Sequence, residues 1–232
     1  VETKQDVMKA PTVNSEAYEY YLKAQHSLEK YNKILDINSI NNAQILAQKA
    51  IELDSNLFVA QHTLGNTYYH REYDTHDAEI ESTIKARNIY KDLLRKAQSV
   101  NDNYWIARAL LSIGNTYYNF VPSYNSYPSS NDSTMQYYKL AIKKFKDIGN
   151  KEEIANSLHN IGKYYMHYNS DSSLVYFSNA IRIFKELKNK RSIANTNVNL
   201  GNIYFEKGMS NKASEYYNKS INIFKEIDDK YS

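Results

Sequence analysis

"LGNIYFEKG" spans Leu200 to Gly208. Close copies stand at three earlier places: "LGNTYYHRE" from Leu64, "IGNTYYNFV" from Ile113 and "IGKYYMHYN" from Ile161. Their glycines fall at 65, 114, 162 and 201. A second phrase travels with the first. "KLAIKKFKDIGNKEEIAN", "SNAIRIFKELKNKRSIAN" and "NKSINIFKEIDDKYS" set Phe145, Phe184 and Phe224 at spacings of 39 and 40 residues. Gly162 and Gly201 are also 39 apart, as are Ile154 and Ile193. A period near 40 with no strand pattern between its marks means stacked helical units.

Each unit divides into two amphipathic stretches. In the last, Ile193, Leu200, Ile203 and Tyr204 share one helical face, and Ala213, Tyr216, Tyr217, Ser220, Ile221 and Phe224 share the face of a second helix. "EKGMSN" between them supplies Gly208 for a C-cap and Ser210 for an N-cap. The unit therefore reads as helix–turn–helix. The glycine lets the two helices approach. The Tyr three residues on (Tyr68, Tyr117, Tyr165, Tyr204) is expected to pack beside it. A small residue in the second helix makes room for the next unit.

Composition agrees. The 232 residues are 42% hydrophobic and 24% charged, enough for a sizeable core. Only 6 Gly and 3 Pro against 23 Tyr argue for helices throughout. The net charge of +3 comes from interspersed signs, with no basic stripe of the kind a nucleic-acid reader shows, so no nucleic-acid partner is expected. Cysteine is absent, which rules out disulfides and thiolate metal sites and suits a reducing compartment. The start, "VETKQDVMKAPTV", has no apolar signal region, and no apolar run is long enough to cross a bilayer. The expectation is a cytoplasmic protein without membrane insertion.

These residues resemble the tetratricopeptide repeat, whose signature is Leu-Gly-x2-Tyr, then Ala-x3-Phe, then Ala. Leu200-Gly201-x2-Tyr204 and Ala213-x3-Tyr217-x2-Ser220 match it, with Ser220 in place of the last Ala. Leu64-Gly65-x2-Tyr68, Ile113-Gly114-x2-Tyr117 and Ile161-Gly162-x2-Tyr165 match the first half. Thr134-x3-Tyr138-x2-Ala141, Ser173-x3-Phe177-x2-Ala180 and Ala43-x3-Ala47-x2-Ala50 match the second. The signature's Trp is replaced by Gln61, Leu110, Leu158 and Asn197. The resemblance implies an all-α superhelical solenoid of helix–turn–helix units. It predicts a linker over 1–15 and five repeats over 16–56, 57–102, 103–150, 151–189 and 190–230. The polar stretch "VPSYNSYPSSNDS", 121–133, reads as a surface insertion in the third. The last phrase, "IDDKYS", stops where "IGNKEEIAN" and "LKNKRSIAN" go on, and there is no initiator Met. A segment of a longer repeat protein is the expectation.

The resemblance also implies that the first helix of each unit lines a concave face. That stripe holds His62, Asn66 and Tyr69 in the second unit, and Arg108, Asn115 and Tyr118 in the third. It holds Asn156, His159 and Lys163 in the fourth, and Asn195, Asn202 and Phe205 in the fifth. Amides can pair with an extended peptide backbone, and aromatics add area at low entropic cost. A protein or extended peptide is the expected partner. The family's basic clamp on a C-terminal carboxylate needs Lys where His62, Leu111 and Val198 stand, so chaperone-tail binding is not expected.

No catalytic or cofactor motif stands out. His62 and His70, like His159 and His167, are eight residues apart, about 12 Å along a helix, so no pair holds one zinc. Ser-x-x-Lys strings at 27–30 and 82–85 lack a following Lys-Thr-Gly. No glycine-rich phosphate loop is present. The expectation is a non-enzymatic interaction or scaffold module with no catalytic residue, metal or cofactor. It resembles the repeat regions of bacterial signalling proteins such as nucleotide cyclases, sensor kinases and serine/threonine kinases, whose effector domains can be enzymes. Two alternatives stay open. One is a self-association module giving a homo-oligomer. The other is a small-peptide receptor resembling bacterial quorum-sensing regulators.

Overall fold

A computed structural model describes residues 12–73, 75–118, 133–166 and 169–228. These form ten α-helices and, among the described residues, no strand. The insertion 121–132, residues 1–11 of the expected linker, Asn119 and His167 lie outside the described residues. The chain divides into two compact units, Val1–Phe120 and Val121–Ser232.

The first unit holds α1 (Ser15–Ile34), α2 (Ile37–Leu53), α3 (Phe58–Tyr69), α4 (His76–Ser99) and α5 (Asn103–Tyr118). Each helix packs on the next, and α3 also meets α1 and α5. The second unit holds α6 (Ser133–Asp147), α7 (Lys151–Tyr165), α8 (Ser170–Glu186), α9 (Lys190–Glu206) and α10 (Ser210–Asp228), again packed in series. The odd-numbered helices carry the glycine phrase from α3 onward, and the even-numbered ones carry the small-residue phrase.

Local chemistry sets the joints. Asn101, Lys188, Gly149 and Gly208 adopt left-handed backbone with φ of 55°, 55°, 69° and 72°. That conformation turns the chain sharply at a helix end. Behind three of these residues stands a capping side chain. Asp102 accepts the Trp105 N–H, Asn150 accepts the Glu153 N–H and Asn189 accepts the Ser192 N–H, each at 3.0 Å. After Gly208 the pattern shifts by one residue. Ser210 opens α10 as its first helical residue, and the Met209 carbonyl accepts the Ala213 N–H.

Gly65, Gly162 and Gly201 each sit under a ring of the second helix. A methyl group on Gly65 would collide with Tyr90, one on Gly201 with Tyr217, and one on Gly162 would lie 2.6 Å from Phe177 Cδ1. The notch itself is thus filled from the second helix and not by the Tyr three residues on. On a helix that Tyr points about one turn further along, where it meets the preceding residue of the second helix. Tyr165 stacks on Tyr176 at 5.6 Å between centroids, and Tyr204 on Tyr216 at 5.3 Å. Tyr68 packs on the cluster of Ala24, Ala47 and Leu64, and Tyr117 lies 3.9 Å under the Arg87 guanidinium. The small residues Ala86, Ala141 and Ala180 are fully buried, as the signature requires, and Ser220 is nearly so.

Candidate functional site

The sequence places the binding stripe on the first helix of each repeat. In the first unit most of it is tied to the protein's own structure. Tyr90 Oη donates to Asn66 Oδ1 at 2.7 Å, so the Asn66 amide presents its N–H2 to His62 Nδ1 at 3.4 Å. His62 Nε2–H then donates to Ser112 Oγ at 3.0 Å. A chain of hydrogen bonds thus runs from α4 through α3 to α5. His62 is buried against the Tyr90 and Trp105 rings. Burial, helped by the Arg108 charge and then His70, holds its pKa well below the ordinary value, so the ring is neutral. Tyr69 Oη donates to the Asn115 carbonyl at 3.4 Å. Tyr118 is half-buried, and burial raises its phenol pKa. Arg108 and Asn115 are half-buried on the same helix.

The second unit repeats the histidine device and leaves more of the stripe open. The Thr196 hydroxyl donates to the Ser192 carbonyl at 2.7 Å, so its 3.0 Å contact with His159 is one in which Nδ1–H donates. His159 Nε2 then accepts from Asn199 Nδ2 at 3.3 Å. Desolvation, with the Lys163 charge beside it, lowers the His159 pKa to about 4. Tyr217 Oη donates to Asn202 Oδ1 at 2.8 Å, leaving the Asn202 N–H2 uncommitted. Asn156 donates to Glu153 at 3.3 Å.

Lys163 differs from all of these. It occupies the place held by Asn66 and Asn202, but the ring over its glycine is Phe177, which has no hydroxyl to offer. Its ammonium has no partner among the described residues, and it reaches solvent. The protein around it still desolvates it enough to lower its pKa. Asn195 is likewise exposed and unpartnered among the described residues, and Phe205 is 64% exposed.

Sequence reasoning missed the internal role of Asn66 and Asn202. The signal was present: repeats with Tyr in the second helix (Tyr90, Tyr217) carry Asn after the glycine, and the repeat with Phe177 carries Lys163. Among the described residues no three His, Cys, Asp or Glu side chains are placed to hold a metal. None of the described helices is long and apolar enough to cross a membrane.

Residues 153–226 match the family model of the tetratricopeptide repeat. This is an all-α tetratricopeptide-repeat fold. Solved structures with that arrangement include BtubC (BKLC) from P. vanneervenii, at 15% identity over 94% of this chain and 93% of that one, with a TM-score of 0.57. The apo form of RapI aligns at 14% identity over 94% of this chain and 86% of its own, TM-score 0.55. A Rap protein complexed with competence and sporulation factor aligns at 18% identity over 94% of this chain, TM-score 0.66, and this chain covers 57% of it. At such identities the likeness establishes the tetratricopeptide fold alone. No curated protein matches the chain.

Proposed function

We propose that the chain is a non-catalytic tetratricopeptide module that binds an extended segment of a partner protein or peptide. It would act in the cytoplasm as the regulatory or scaffold part of a larger bacterial signalling protein. The observation that carries this is Lys163, an accessible ammonium with no counter-ion among the described residues, on the first-helix face of the second unit. An ammonium without a counter-ion makes its strongest hydrogen bonds to a carboxylate, so the segment bound there carries one. Asn195 and the free N–H2 of Asn202 offer pairing to its backbone, and the Phe205 ring offers an apolar shelf. The Rap structure complexed with competence and sporulation factor supports the small-peptide form of this reading.

The test is selection of binders from a displayed random-peptide library, followed by affinity measurement. Selected peptides are expected to carry an Asp, a Glu or a free C-terminus next to an apolar residue. Lys163→Glu is expected to weaken them by about 1.5–3 kcal/mol, as for a hydrogen bond to a charged group. Phe205→Ala is also expected to weaken them, while Lys225→Ala on α10 binds as wild type. Failure to enrich any peptide, or equal binding by Lys163→Glu, overturns the reading. Molar mass rising with concentration while the selected peptides are ignored favours self-association instead.

A further inference from the structure

A concavity lies in the second unit on the side of α9 that carries Asn197. It is a cleft of about 510 Å³ between α8 and α10, floored by α9. Ile181, Ile193, Leu200, Tyr216 and Ile223 form its apolar walls. Asn197 stands among them. Asn197 is 6% exposed, yet its amide has no hydrogen-bond partner among the described residues.

The other repeats show what this position normally does. Gln61, four residues before Gly65, reaches Asp92 Oδ2 with its Nε2 at 2.7 Å. Leu110, four before Gly114, is buried. Leu158, four before Gly162, packs on Ala155, Ala180, Ile183 and Phe184. Each fills or ties the space beside its second helix. Asn197, four before Gly201, is too short to fill it and reaches no protein group. Its amide opens on the cleft instead, where a ligand can bring it a donor or an acceptor.

Two cations stand at the edge. Lys219 is already bound to Glu215 at 2.6 Å. Lys185 has no acidic partner among the described residues. The site thus combines an apolar body, one deep group that both donates and accepts, and one free positive charge at the mouth. Its volume falls in the range of small-molecule sites, roughly 300–1,000 Å³.

We infer that this cleft binds a small organic anion: a molecule with a flat apolar body, one polar edge for Asn197 and an acidic group for Lys185. The site is separate from the stripe that carries Lys163, since Asn197 and Asn195 lie two residues apart and so face away from each other on α9. A ligand held between α8 and α10 would clamp the fourth repeat to the fifth.

The probe is 8-anilinonaphthalene-1-sulfonate, which has an apolar body, an N–H and a sulfonate. N-phenyl-1-naphthylamine is its uncharged counterpart. With the whole chain, the sulfonate dye is expected to bind at one equivalent with enhanced fluorescence. In amide-detected NMR it should shift the Asn197 side-chain N–H2 and the signals of Ile181 and Ile223. Asn197→Trp and Asn197→Leu fill the cleft and should abolish binding, with helical content checked by circular dichroism. Lys185→Gln should weaken the sulfonate dye about threefold to fivefold, as for an exposed charge pair, and leave the uncharged dye unchanged. No saturable binding, shifts that avoid the cleft, or full binding by a folded Asn197→Trp chain each overturn the inference. The NMR arm uses the wild-type chain, so it decides even if both filling variants fail to fold.

Discussion

The Tyr90 hydroxyl donates to Asn66 Oδ1 at 2.7 Å directly above the crossing opened by Gly65. Tyr217 and Asn202 repeat the bond at 2.8 Å above Gly201. Replacing Tyr90 by Phe keeps the ring in the glycine notch and removes only the bond. Because Asn66 Oδ1 then faces a largely buried site without its donor, the expected loss is about 1–2 kcal/mol. Tyr217→Phe, where the ring is less buried, is expected to cost less. Urea denaturation of both variants measures the difference.

Gly65→Ala sets two effects against each other. Alanine gains about 1 kcal/mol over glycine in a helix interior. Against that, its methyl collides with a ring that is 1% exposed and held by Asn66, and overpacking of this kind costs about 1–3 kcal/mol. A net loss is expected. It should be recovered in part when Tyr90 is also changed to Ala, so the double variant is non-additive. Gly208→Ala meets no neighbour and is destabilised only by its φ of 72°, so it should add independently to Tyr217→Ala.

His159 makes stability depend on acid. Its folded pKa of about 4 lies below the ordinary 6.5, so the unfolded chain binds the extra proton between those values. Its contribution is therefore complete above pH 6.5 and is lost as pH falls toward 4, by about 3 kcal/mol in all. The stability gap between wild type and His159→Gln should narrow over that window. A gap that stays constant from pH 7 to 4 would show that the ring is not held neutral.

Ser220 is 2% exposed, and its hydroxyl has no hydrogen-bond partner among the described residues. The matching positions in α6 and α8 are Ala141 and Ala180, and in α4 the position is taken by Leu93, so no other second helix of these repeats puts a hydroxyl there. Ser220→Ala should therefore stabilise the second unit by about 1 kcal/mol. Thermal unfolding of the two chains side by side gives the sign.

Much of the fold was legible because its marks are backbone requirements. A close crossing needs Gly65, Gly162 and Gly201, and a period of 39 is read by counting. The stripe was legible as a set of positions, since helical spacing alone defines it. What those side chains touch was not. Whether Asn66 faces a peptide or Tyr90 depends on a residue 24 positions away. Whether His62 is exposed depends on Trp105 and Ser112 closing over it. Spacing along one helix says nothing of a neighbouring helix. The empty place beside Asn197 was hidden for the same reason, because a small residue in a sequence does not show what stands opposite it.

A chain that says nearly the same phrase four times risks docking one repeat's second helix on another's first. The pairing over the glycines discriminates between them. Phe177 laid over Gly201 would leave Asn202 without a donor, and Tyr217 laid over Gly162 would set its hydroxyl beside Lys163 rather than an amide oxygen. Each exchange forfeits a bond worth about 1 kcal/mol, or roughly fivefold in population. These two side chains thus serve as an address label, read while the helices assemble, that sets the fourth repeat apart from its near-identical fellows.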